Sequence, residues 1–65
     1  MQPTQILIET AREMGEIDHV SVSANGRLFV VAYPPRARQF PIPERLDNQQ
    51  AWQMLSEAVK FVKNQ

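Results

Sequence analysis

Few residues in this chain could do chemistry, and their spacing limits what each could do. The only histidine, His19, follows Asp18, and a carboxylate can orient an imidazole for proton transfer. His19 opens a stretch that reads as a strand, however, and successive strand residues point to opposite faces, so these two do not form an orienting pair. Glu9 and Glu13 stand one helical turn apart, as acidic metal ligands can. With no cysteine and one histidine in the chain, nothing completes a site, and the pair reads as a solvated helix face. Asn25-Gly26 could mimic a fragment of a phosphate loop, but a hairpin turn accounts for it. There is no Gly-rich phosphate loop, metal-binding helix or nucleophile elbow. The chain therefore reads as a non-enzyme with no cofactor and no metal.

Three arginines are the remaining polar candidates. Arg36 and Arg38 follow the Pro34-Pro35 pair, and Arg27 stands at the other hairpin end. Arginines on loops beside a sheet can clamp phosphates, which makes Arg27, Arg36 and Arg38 candidate nucleic-acid contacts. The sheet face beside them offers Ser, Leu, Val and Gln, not stacking aromatics, so solubilising charge is the plainer reading. An acidic protein partner is a further one. Trp52 falls inside an amphipathic stripe and reads as core, not as a stacking platform.

Composition narrows the setting. Seven basic side chains balance seven acidic ones, which argues against a general nucleic-acid coat. The balance is uneven: residues 1–18 hold Glu9, Glu13, Glu16 and Asp18 against Arg12, while residues 19–45 hold Arg27, Arg36, Arg38 and Arg45 against Glu44. Sixty-five residues make one domain, 1–65, whose core contributes roughly 3–5 kcal/mol unless a staple or partner adds to it. Disulfides are excluded, so very regular packing or self-association is left as the further source of stability. The longest apolar run, Leu28 to Tyr33, is far too short to span a bilayer. Met1-Gln2-Pro3-Thr4 lacks the basic start of a signal peptide, and the expected compartment is the cytoplasm.

The elements that must position these residues follow from periodicity. Residues 3–14 read as a helix, with Pro3 at the first position, Leu7, Ile8, Ala11 and Met14 on one arc, and Gly15 as the left-handed cap. His19 to Ala24 alternates with period two, Asn25-Gly26 suits a type I′ turn, and Arg27 to Tyr33 is β-branched and aromatic. A two-residue turn sets Val22 opposite Phe29 and Val20 opposite Val31, the face that packs under the helices together with Tyr33. Pro34-Pro35 stops this strand. Arg38 to Ile42 reads either as a short edge strand with Phe40 and Ile42 inward or as a loop. Residues 48–63 read as the second helix, with Asp47 and Gln50 as a capping box and Leu46 stapled to Ala51. Its apolar arc is Ala51, Trp52, Leu55, Ala58, Val59 and Val62, and Lys60 and Lys63 suit its C-terminal dipole. The expected fold is α+β, in the order α-β-β-(β)-α. Both helices lie on one face of a small antiparallel sheet built on the Asn-Gly hairpin.

That order is similar to the order in double-stranded RNA-binding domains and HicA-type toxins, and residues 19–63 look like the sheet-plus-helix of integrase arm-binding domains. The likeness is one of architecture. Where the RNA-binding domains carry lysines at the start of the last helix, this chain reads Asn48-Gln49-Gln50, so no binding residue carries over.

Two apolar groups remain once this core is filled. Leu28, Val30 and Ala32 have the parity of the uncovered sheet face, beside Ser21 and Ser23. Met54 and Phe61, with Ala58, form a second stripe at the margin of the last helix, and Ile6 lies off the core arc of the first. A small core could borrow such residues from its flanks. The sharper expectation is a protein interface through Leu28, Val30, Met54, Phe61 and Ile6. It would serve a homodimer packed sheet on sheet or helix on helix, or another protein.

Overall fold

The computed structural model describes residues 2–65 and orders them as α1 (Pro3–Met14), β1 (Val20–Val22), β2 (Leu28–Tyr33), β3 (Arg36–Pro41) and α2 (Asn48–Lys63). The three strands form an antiparallel sheet in the order β1-β2-β3. Both helices cover one face of it, α1 over β1 and α2 over β2 and β3, with α1 packed on α2. The fold is α+β.

Each helix ends as its residues dictate. Gly15 takes φ 78°, and the pair Gly15 N–H to the Arg12 carbonyl (3.1 Å) and Glu16 N–H to the Ala11 carbonyl (2.8 Å) forms a Schellman cap. At the start of α2 the Asp47 carboxylate accepts from Gln50 N–H at 2.7 Å, and the Gln50 side chain accepts from Asp47 N–H at 3.1 Å. Leu46 and Ala51, on either side of that box, are both buried.

The hairpin register is Val20 to Val31 and Val22 to Phe29. The turn differs from the type I′ expectation. Among the described residues none other than glycine has positive φ, so Asn25 does not take the left-handed form that type I′ requires. Instead residues 24–27 form a four-residue loop. Gly26 N–H donates to the Ser23 carbonyl, and Gly26 alone is left-handed, at φ 71°. The Asn25 side chain accepts from Arg27 N–H at 3.0 Å, and the Ser23 hydroxyl accepts from Leu28 N–H at 3.1 Å. These side chains satisfy the loop's amides, which removes the need for a strained asparagine. Two- and four-residue loops share one register, so the pairing is unchanged.

Residues 36–41 are a strand, beginning two residues before the expected start, and Pro34-Pro35 is the turn that joins it to β2 through a cis peptide. β3 lies at the edge, and Pro41 pairs with Leu28 there. Phe40 and Ile42 are half-buried against the core.

The core joins Leu7 and Ala11 of α1, Val20, Phe29 and Val31 of the sheet, Leu46, and Ala51, Leu55, Ala58, Val59 and Val62 of α2. Burying one Phe, Leu or Val side chain stabilises by about 1.5–3 kcal/mol. Thr10 completes the interior: its hydroxyl donates to the Ile6 carbonyl at 2.7 Å and accepts from Asn48 Nδ2 at 3.3 Å, tying α1 to the first turn of α2. Three helix positions depart from the wheel reading. Trp52 is not core; it is 40% exposed, just past Val59 on the arc. A sheet of three strands and one neighbouring helix cover a narrower arc of α2 than its apolar residues span. On α1, Ile6 packs against the core, while Ile8 is half-buried outside it.

Candidate interaction surface

Met54, Glu57, Ala58 and Phe61 recur at i, i+3, i+4 and i+7 and so form one stripe along α2. The stripe lies at the margin of the buried arc that faces β3. Between it and the strand runs an open groove of about 460 Å³, lined by Phe29, Phe40, Pro41 and Pro43 on the sheet side. Its floor is aromatic. Phe29 and Phe40 stack at 5.3 Å between ring centroids, and Phe61 meets Phe40 edge-on at 6.3 Å. Phe61 is 48% exposed, so half of its ring still faces water. Glu57 is the one charged residue lining the groove.

Met54 and Phe61 are thus brought together, as their spacing implies. Leu28 and Val30 lie on the other side of the sheet. There Val30 stands between Ser21 and Gln39, and Leu28 stands opposite Pro41. Both are half-buried among small or polar neighbours. Pro41 joins the two regions, since it pairs with Leu28 on the outer face and also lines the groove. The two apolar surfaces therefore meet at the β3 edge. Ile6 is half-buried against the core and does not line the groove. Of the other lining residues, the sequence reading placed Phe40 only as an inward strand residue and assigned Pro41, Pro43 and Glu57 to no site. The signal was present in the Phe40-Pro41-Ile42-Pro43 run, where apolar residues that cannot all turn inward follow one another.

The arginines do not converge. Arg27 sits at the loop end of the sheet, where its carbonyl accepts from Ile42 N–H, and Arg36 sits at the opposite end, paired with Tyr33. The six residues of β2 between them span about 20 Å. The Arg36 guanidinium donates to the Lys63 carbonyl at 2.7 Å, closing the C-terminus of α2, and that of Arg38 donates to the Ala37 carbonyl at 2.9 Å.

The Arg36 end of the sheet holds a polar cluster. His19 stacks on Tyr33 with ring centroids 4.0 Å apart, and its Nδ1 lies 3.0 Å from the Ala32 carbonyl. The Tyr33 hydroxyl donates to Glu16, and Lys63 Nζ lies 5.1 Å above the Tyr33 ring. The contact that orients the imidazole is a backbone carbonyl, not Asp18. These groups tie the α1–β1 loop, the end of β2 and the end of α2 to one another. Among the described residues, no group of three or more His, Cys, Asp or Glu side chains is placed to hold a metal ion.

No protein family, curated protein or solved structure matches the chain.

Proposed function

We propose that the protein is a small interaction module that acts by protein–protein contact, as a homodimer, with no catalysis of its own. The observation that carries this reading is the groove between α2 and β3, where Phe61 is 48% exposed beside Phe40, Met54 and two prolines. An apolar groove with a half-exposed aromatic ring in its wall offers a partner's side chain a desolvated seat. Size supports the reading as well. A 65-residue chain without disulfides gains stability by mass action from any partner that binds only its folded form. The compartment that goes with this reading is the cytoplasm. No helix among the described residues is long and apolar enough to cross a membrane.

The test is light scattering across a range of protein concentrations. The expected result is a species of twice the 7.5 kDa chain mass that dissociates on dilution. A monomer at every concentration up to about 1 mM, which corresponds to under about 4 kcal/mol of association, overturns the homodimer. The alternative is a nucleic-acid-binding module using Arg27, Arg36 and Arg38, of which Arg27 lies at the opposite end of the sheet from Arg36.

A further inference from the structure

The hydrogen-bonding of the sheet leaves β3 with an unfinished side. Ser23 N–H bonds to the Leu28 carbonyl and Ala32 N–H to the His19 carbonyl, so Leu28, Val30 and Ala32 direct their amides toward β1. The Arg27 carbonyl accepts from Ile42 N–H, so Arg27, Phe29, Val31 and Tyr33 direct theirs toward β3. By the alternation of an antiparallel ladder, Arg36, Arg38 and Phe40 bond inward to β2, and Ala37, Gln39 and Pro41 face outward. The outward set comprises the N–H groups of Ala37 and Gln39 and the carbonyls of Ala37, Gln39 and Pro41. Pro41 has no N–H to offer.

This set is self-complementary about Gln39. We infer that β3 pairs edge to edge with β3 of a second copy, antiparallel and two-fold, with Gln39 opposite Gln39 of the copy; this rests on the homodimer reading above. In that register the two Gln39 residues exchange both of their hydrogen bonds. Each Ala37 N–H reaches the Pro41 carbonyl of the copy, giving four bonds in all. The one group left without a partner across the axis is the Ala37 carbonyl, because the residue opposite it is a proline. That carbonyl already accepts from the Arg38 guanidinium at 2.9 Å. Arg38 thus satisfies the acceptor for which this register has no other donor.

Side chains agree with the backbone. On the helix-covered side, the register sets Arg38 beside Phe40 of the copy, at the mouth of the copy's groove. The one charged residue of that groove is Glu57, and its walls are aromatic. A guanidinium with its apolar stem suits such a site both by charge and by stacking. The pairing also covers Pro41, where the outer apolar face and the groove meet.

The test replaces Gln39 by proline. Position 39 directs its backbone nitrogen away from β2, as position 41 already does with a proline, so Gln39→Pro removes only N–H donors used between copies. The folded monomer keeps its β2–β3 ladder, read as an unchanged circular dichroism spectrum. Two hydrogen bonds are lost across the axis, and the dimer dissociation constant is expected to rise by about a hundredfold or more. A second variant covers the case in which Gln39→Pro does not fold. In Gln39→Cys, the two introduced thiols face each other across a pair with Cα atoms about 5.5 Å apart, within disulfide range. It is expected to give a cross-linked dimer on mild oxidation, while Ser21→Cys, at the far edge of the sheet, stays single. A wild-type dimer together with a folded Gln39→Pro that associates as tightly, or a Gln39→Cys that cross-links no better than Ser21→Cys, overturns the edge pairing and leaves the homodimer standing. A wild-type chain that stays monomeric overturns both.

Discussion

The two margins of the sheet are built to different standards of closure. β1 has three residues, lies under α1, and is pinned at both ends by side chains: Asn25 and Ser23 accept from the Arg27 and Leu28 amides at the loop, and the His19 ring meets the Ala32 carbonyl at the other end. β3 has six residues, all but Phe40 exposed, and its one tie to α2 by a side-chain hydrogen bond is Arg36 at its first residue. The rest of that flank rests on aromatic contacts around a partly filled groove. One margin is short and pinned at its ends by polar groups within the chain. The other keeps donors, acceptors and half a phenylalanine ring facing outward. The difference is one of length and exposure, and the longer, more exposed edge is the one on which a partner is to be sought.

Removing what both margins share abolishes the difference between them. Phe29 lies in the central strand, 1% exposed, and stacks on Phe40. Phe29→Ala is expected to destabilise by about 3–5 kcal/mol, which leaves most molecules unfolded at 25 °C. Urea titration followed by circular dichroism checks this. The polar margin is tested alone by Tyr33→Phe, which deletes the hydroxyl that donates to Glu16 but keeps the stack on His19. A loss of about 1–2 kcal/mol in the same titration is expected, with association unchanged. Asp47→Ala removes the cap of α2, which carries the groove stripe, and is expected to lower stability by about 1 kcal/mol. Phe61→Glu sharpens the contrast most. Its effect on the melting of the monomer is expected to be under about 1 kcal/mol, since half of the ring is exposed, yet light scattering should show association lost. If Phe61→Glu instead unfolds the chain, the groove is core and the two margins are alike.

The hairpin was legible in the sequence down to its residue pairs, because alternation and a short loop leave one register that puts Val20, Val22, Phe29 and Val31 on the same face. The turn type was not, since Asn25-Gly26 serves two loop geometries and the choice rests on the Ser23 and Asn25 side-chain bonds. β3 was half legible. Pro34-Pro35 reads as a stop, and nothing in two prolines says that the chain turns back at once to pair with the strand it has left. Trp52 misled because a helical wheel shows which residues are apolar, while the width of the covered arc depends on how many strands lie beneath. The stripe of Met54 and Phe61 was visible from spacing alone. The groove it forms with Phe40, Pro41 and Pro43 required the path of β3.

Pro41 has a consequence for stoichiometry. A strand that can be extended on both sides, or along its whole length, invites growth without end, whereas β3 ends at a residue that accepts but cannot donate. The opposite edge presents only three residues. On the proposed edge pairing each molecule would have a valence of one for strand addition, so that joining a neighbour would exhaust it and the assembly would close as a pair instead of lengthening into a fibre.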